Sequence, residues 1–150
     1  MTVSAADIKK LREETGAGVM DVKKALEEAD GKFDKARELI RERGLAKAAK
    51  KADRETKEGF VGSYVHMTGK VAAMVSLQCE TDFVARNEEF QKLARELAMQ
   101  VASMRPETVD ELLEQDYIRD PKLKVADLVK ALSGKIGENI QVGEMRLLVI

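Results

Sequence analysis

The chain contains few of the side chains from which catalytic and metal sites are built. Its 150 residues include one cysteine, one histidine and no tryptophan. One cysteine cannot form an intrachain disulfide, and one histidine without neighbouring ligands lacks the spacing of a zinc site. The sequence also has no glycine-rich loop of the Walker or dinucleotide-binding type. We therefore expect no bound metal, nucleotide or other cofactor.

An excess of one charge and a long apolar run are also missing. Lys and Arg number 26 against 27 Asp and Glu, so the formal net charge is -1 and no overall field attracts nucleic acid or a membrane. The N-terminal residues, MTVSAADIKK, do not resemble a signal peptide, and no run of 18 apolar residues follows. These features predict a cytoplasmic protein that binds neither nucleic acid nor membranes directly.

The first 44 residues carry three short apolar stripes with helical spacing. Ser4 can cap the first helix, TGAG at 15–18 ends it, and the third helix is predicted to end before Gly44. Because each stripe is narrow, the three helices must cover one another, and so small a bundle suits a docking role. Residues 1–44 are therefore predicted to be a three-helix partner-docking module. Residues 45–58, with five basic side chains, are predicted to be a basic helical linker.

Residues 59–150 have the pattern of an α+β core domain. FVGSYVHMT and VAAMVSLQCE alternate in the manner of strands and flank Gly69 and Lys70, which predicts a β-hairpin. Asn87 can cap a long helix that Pro106 closes, and two more helices are predicted near 109–115 and 125–136. The last residues, IQVGEMRLLVI, form a third strand. This pattern predicts an α+β fold with a three-stranded antiparallel sheet packed by helices.

The stretch CETDFVARN places an acid and an aromatic, Asp82 and Phe83, on a turn between a strand and a helix. Phe83 either tucks under the following helix or projects as a partner-binding wedge beside the acid. Cys79 is either a buried thiol at the strand end or a nucleophile that uses His66 as its base. Spacing alone does not separate these alternatives.

Four motifs occur in the same order as in bacterial elongation factor Ts. They are LREETGAGVMDVKKAL at 11–26, GLAKAAKKADRE at 44–55, CETDFVARN at 79–87 and IGENIQV at 136–142. The sequence therefore resembles that family over nearly its whole length. The resemblance implies a guanine-nucleotide exchange factor for translation elongation, without covalent chemistry, that binds elongation factor Tu, releases GDP and lets GTP enter. It also implies that the N-terminal bundle is ubiquitin-associated-like.

The resemblance also implies particular contact residues. It places the family's insertion motif on Thr81, Asp82 and Phe83, of which Asp82 and Phe83 would enter a helical cleft of elongation factor Tu and disturb its magnesium site and phosphate loop. In the N-terminal module it places partner contacts on Arg12, Val19 and Met20. The alternatives are that Met20 packs in the core of the bundle and that Arg12 is simply solvated.

The chain departs from the family pattern in three ways. Its C-terminal strand reads GEMRLLVI where the family tends to be basic and aromatic, which leaves partner contacts from that strand open. Val19 replaces a methionine that is frequent in the family, and we expect this smaller, stiffer side chain to weaken docking without abolishing it. The chain also passes from MRPETVDELLEQ to YIRDPKLKVADLVK without the helical insertion or second core repeat of many relatives. It thus resembles a compact, single-core form, and short relatives are similar in acting as homodimers. A helical binding module without exchange activity and a thiol enzyme remain the other hypotheses.

Overall fold

The computed structural model describes residues 2–150 and contains seven helices, a three-stranded sheet and a two-stranded ribbon. The helices are α1 (Ala5–Thr15), α2 (Val19–Glu28), α3 (Phe33–Ala49), α4 (Asp82–Ala85), α5 (Glu88–Met104), α6 (Val109–Glu114) and α7 (Val125–Ile136). The strands are β1 (Glu58–Val65), β2 (Val71–Cys79), β3 (Asp116–Tyr117), β4 (Asp120–Lys124) and β5 (Gln141–Val149). The predicted α+β class is confirmed.

The N-terminal helices form a three-helix bundle with its own core, as predicted. The Ser4 hydroxyl accepts a hydrogen bond from the Asp7 backbone N–H at 3.1 Å and so caps α1. Gly16, with φ of +66°, ends α1 in the left-handed conformation that glycine adopts without strain. The apolar stripes meet in a cluster of fully buried side chains: Leu11, Val22, Ala25, Leu26, Ala29 and Ala36.

Helix α3 does not end at Gly44, contrary to the sequence-based expectation. It continues through Gly44 to Ala49, five residues into the segment predicted to be a linker. The reason is a close helix crossing, because a Cβ atom on Gly134 of α7 would lie only 2.3 Å from the Gly44 carbonyl oxygen. Gly44 therefore serves as a contact point between α3 and α7, and this crossing joins the bundle to the core.

The sheet has the order β1-β2-β5, and both strand pairs are antiparallel. The alternation in β2 places Ala73, Val75, Leu77 and Cys79 on one face of the sheet, and these side chains are buried under α5. Gly62 of β1 allows α5 to come close, since a Cβ atom there would lie 2.3 Å from the backbone of Ala94. Helix α5 is thus held against the sheet along its length.

The short ribbon of β3 and β4 was not expected from the sequence. Its anchor is Gln100, a fully buried residue of α5. The Gln100 side chain donates to the Asp116 carbonyl at 3.1 Å and accepts from the Ile118 N–H at 3.0 Å. The chain therefore crosses from α6 to α7 over a compact turn that is bonded to the long helix.

Candidate protein-binding site

The turn after β2 presents Asp82 and Phe83 to solvent. Thr81 lies in extended backbone as the N-cap of α4, and its hydroxyl accepts from the Val84 N–H at 3.4 Å. Phe83 is 79% exposed, so it projects from α4 and does not tuck under α5. The Asp82 carboxylate accepts from Arg86 at 3.1 Å, one helical turn further on. The structure therefore selects the projecting alternative for Phe83.

The carboxylate of Glu138, in the loop after α7, holds the base of this turn. Its Oε1 accepts hydrogen bonds from the backbone N–H groups of Glu80 and Thr81, both at 3.0 Å. Its Oε2 accepts from the Thr81 hydroxyl at 2.7 Å. Hydrogen bonds to an ionised acceptor are among the stronger ones in proteins. Two residues distant in sequence, Glu138 and Thr81, thus fix the direction in which α4 leaves the sheet.

A second set of bonds ties the same region to the segment between α3 and β1. The Glu80 carboxylate accepts from the Asn139 backbone N–H at 2.8 Å. The Asn139 side chain is buried and donates to the carbonyls of Ala52 and Arg54 at 3.2 and 2.7 Å. Sequence reasoning did not identify Glu138 or Asn139 as part of the site. The only available signal was that IGENIQV is one of the four family motifs.

Cys79 lies beneath the turn and is not placed for catalysis. Its thiol is fully buried and donates to the Thr81 carbonyl at 3.2 Å. Burial, reinforced by the negative charge of Glu138, raises the thiol pKa to about 11, so the thiolate is scarce at neutral pH. His66 lies beside Val71 at the other end of β2, roughly 26 Å away at about 3.3 Å per strand residue. The thiol-enzyme hypothesis therefore lacks its base.

The second group of candidate residues surrounds the junction of α1 and α2. Arg12 is exposed one turn before the end of α1. Val19 and Met20 begin α2 and are 47% and 61% exposed. Met20 is consequently not part of the bundle core, and the structure leaves all three side chains accessible around one helix junction.

A groove of about 290 Å³ separates the bundle from α7, and the charges around it are paired. Lys47 donates to Asp21 at 2.7 Å, which holds the pKa of that carboxyl below its usual range. Lys135 donates to Glu89 at 2.8 Å and so links α7 to α5. The arginines beside the groove also have carboxylate partners: Arg37 with Glu14, Arg41 with Glu38 and Arg43 with Glu28. The groove is thus a neutralised boundary between bundle and core.

Residues 2–150 contain neither a cluster of metal-ligating side chains nor a membrane-spanning helix. In that range no three His, Cys, Asp or Glu side chains come together in an arrangement that could hold a metal ion. No helix in the same range has the length and apolar character needed to cross a membrane. The candidate site consists of exposed side chains, Asp82 and Phe83 on the turn and Arg12, Val19 and Met20 on the bundle, an arrangement suited to binding another protein.

Comparison with known proteins identifies the family. A family model described as elongation factor TS matches residues 80–149. An elongation factor Ts of Oleidesulfovibrio alaskensis is 44% identical over 186 positions, covering 94% of both chains. Relatives from Nitratidesulfovibrio vulgaris and Fervidobacterium nodosum, also named elongation factor Ts, are each 41% identical and cover 95% of this chain. The chain belongs to the elongation factor Ts family, as the four motifs predicted.

The alignments also bear on the length of the chain. They run over 186 to 188 positions and cover 93 to 95% of the relatives, whereas the chain has 150 residues. The relatives therefore carry residues inside the aligned region that this chain does not have. The prediction of a compact member of the family is confirmed.

Proposed function

We propose that this chain is the guanine-nucleotide exchange factor of elongation factor Tu and that it promotes GDP release through the Asp82-Phe83 turn. Family membership supports the activity. One observation supports the turn as the active element: Phe83 is 79% exposed on a helix whose base is fixed by hydrogen bonds. An exposed aromatic on rigid backbone costs little conformational entropy on binding and is a common interface anchor.

The mechanism is displacement of the groups that hold the nucleotide, and no covalent bond changes. In the partner, a magnesium ion and the backbone amides of the phosphate loop hold the phosphates of GDP. Inserting Phe83 and Asp82 beside them shifts those groups and weakens nucleotide binding. By linkage, bound nucleotide must weaken binding of the factor by the same ratio. GTP then rebinds and expels the factor.

The N-terminal module supplies the affinity in this proposal. Residues 1–44 dock through Arg12, Val19 and Met20, segment 45–58 connects, and the core of residues 59–150 carries the turn. Arg12 provides a permanent positive charge, and the two apolar side chains provide area that becomes buried on docking. In this proposal the factor contacts neither the nucleotide nor nucleic acid. It acts in the cytoplasm, where translation elongation takes place.

A second copy of the chain is the proposed occupant of the outer sheet face, the side of the three-stranded sheet opposite α5. Val65, Ala72 and Leu148 form one apolar cross-strand row on this face, and Met74 lies in the next row between Ser63 and Arg146. Val65, Met74 and Leu148 are more than half exposed. Two such faces can pack as a sandwich about a two-fold axis, which buries the apolar row and Met74 of both copies.

Sedimentation equilibrium tests the homodimer. We expect the mass of two chains, and we expect Leu148→Lys to shift the equilibrium to the monomer because it places a charge in the packed rows. The matched control is Lys70→Ala, at the exposed hairpin turn. A protein that stays monomeric as its concentration is raised would contradict the homodimer.

The activity itself is tested by the release of fluorescent GDP from purified elongation factor Tu over a range of concentrations of this chain. We expect large acceleration that saturates as the complex forms. If the chain binds elongation factor Tu, as shown by an independent binding measurement, and does not accelerate release, the exchange function is wrong. The protein would then be a helical binding module.

A further inference from the structure

Glu138, in the loop after α7, accepts hydrogen bonds from both backbone amides at the base of the turn. The backbone of Glu138 is in turn held against the end of α7. Gly137, with φ of +89°, ends α7 and turns the chain toward β2. The Ser133 hydroxyl then donates to the Glu138 carbonyl at 2.6 Å, so the loop is closed on the last turn of α7. Glu138 therefore transmits the position of α7 to the Thr81 backbone.

Helix α4 cannot hold this position without outside support. It has four residues, and a helix of that length is not stable by itself in water. Its Thr81 cap bond to Val84 is long, at 3.4 Å, whereas the bond from Thr81 to Glu138 is 2.7 Å. Behind α4, Val84 and Ala85 belong to the core cluster and support the helix from one side, whereas Asp82 and Phe83 are exposed on the other.

We propose that Glu138 is a positioning residue for nucleotide exchange, which acts by holding the Asp82-Phe83 turn in the direction that insertion requires. This inference rests on the proposed function. Glu138 touches Glu80 and Thr81 and lies behind the exposed side chains, so its effect on exchange passes through them. Misplacing a group by about 1 Å can cost about a hundredfold in rate, so the anchor has a large expected effect.

The test separates positioning from docking. GDP release is measured at saturating factor, which reports insertion of the turn, and the half-saturating concentration reports docking. We expect Glu138→Ala to lower the maximal rate about tenfold to a hundredfold and to leave the half-saturating concentration within about threefold. Glu138→Gln should recover part of the rate, because its side-chain oxygen can still accept from the two amides. Glu107→Ala, at an exposed glutamate in a different loop, is the control and should match the wild type.

A double-mutant cycle distinguishes an anchor from a general loss of stability. If Glu138 acts through Phe83, the variant Phe83→Ala with Glu138→Ala should be no slower than Phe83→Ala alone. Additive losses would overturn the proposal. Thr81→Val, which removes only the hydroxyl and keeps both backbone bonds to Glu138, provides a milder variant should Glu138→Ala fail to fold.

Amide hydrogen exchange shows whether the anchor has been released. We expect the amides of Glu80 and Thr81 to lose protection in Glu138→Ala, while those of β2 and α5 keep theirs. Lost protection with an undiminished maximal rate would overturn the positioning role alone. If Phe83→Ala by itself leaves the maximal rate unchanged, the insertion mechanism is wrong and the positioning role is lost with it.

Discussion

The close crossing of α3 and α7 predicts opposite effects on stability when its two glycines, Gly44 and Gly134, are each replaced by alanine. A Cβ atom at Gly134 would lie 2.3 Å from the Gly44 carbonyl oxygen and 2.8 Å from the Gly44 Cα, whereas a Cβ atom at Gly44 meets nothing within 4 Å. The obstructing atoms at Gly134 are backbone, which cannot rotate aside. Gly134→Ala must therefore separate the two helices, and Gly44→Ala leaves them in place.

The expected magnitudes follow from two terms. Replacing glycine by alanine inside a helix stabilises it by about 0.5–1 kcal/mol, and both substitutions gain this amount. Overpacking costs about 1–3 kcal/mol, and only Gly134→Ala incurs it. We expect Gly44→Ala to be more stable than the wild type by about 0.5–1 kcal/mol. Because the obstruction at Gly134 is backbone at 2.3 Å, we place its overpacking cost at about 2–3 kcal/mol, which leaves Gly134→Ala less stable by about 1–2.5 kcal/mol.

Urea unfolding followed by circular dichroism measures both variants. For a chain of this size, the loss in Gly134→Ala corresponds to a midpoint lower by about 0.5 M. The crossing would not be as close as described if Gly134→Ala were as stable as the wild type. Equal destabilisation by both substitutions would also refute the reasoning, because only one Cβ atom meets an obstacle.

Two further predictions concern the binding surface and the thiol. Met20→Ala should weaken association with elongation factor Tu about tenfold, and it should change stability by less than about 0.5 kcal/mol because Met20 is exposed. Calorimetry measures the affinity, and the control variant Lys23→Ala should bind as tightly as the wild type. Equal affinities for Met20→Ala and the wild type would contradict docking through Met20. Burial raises the pKa of Cys79 to about 11 in the folded protein from its ordinary value of 9.0, so between these two pH values the folded state retains a proton that the unfolded state loses. Stability should therefore fall as the pH rises from 9.0 to about 11, and Cys79→Ser should show less of this fall while keeping exchange activity; identical pH profiles of unfolding would refute the assignment.

Local periodicity was enough to predict most of the elements. The alternation from Val71 to Cys79 identifies both the strand and its buried face, because a strand's side chains alternate across the sheet. The Asn87 cap and the stripe from Phe90 onward locate α5 for similar reasons. These signals lie within a few residues of one another, so the sequence displays them directly.

Features that depend on distant partners could not be predicted in this way. Gly44 has the appearance of a helix terminator, and only its meeting with Gly134, 90 residues later, explains why the helix continues. The ribbon of β3 and β4 has no alternation and contains Pro121, so it shows no strand signal.

The candidate site also depends on contacts between residues that are distant in sequence. The resemblance to the family predicts a role for Asp82 and Phe83, but the hydrogen bonds at the base of their turn join Thr81 to Glu138, 57 residues away in sequence. No local pattern contains that information. The contact roles of Arg12, Val19 and Met20 remain predictions, now on side chains that the structure shows to be accessible.

The most direct test of the exchange mechanism is the maximal rate of GDP release from elongation factor Tu with saturating Phe83→Ala factor, compared with the wild type. Because Phe83 is 79% exposed, the variant should fold normally. Loss of an interface anchor worth about 2 kcal/mol or more predicts a maximal rate at least about 30-fold lower. A folded Phe83→Ala variant that binds elongation factor Tu and releases GDP at the wild-type rate would contradict the mechanism.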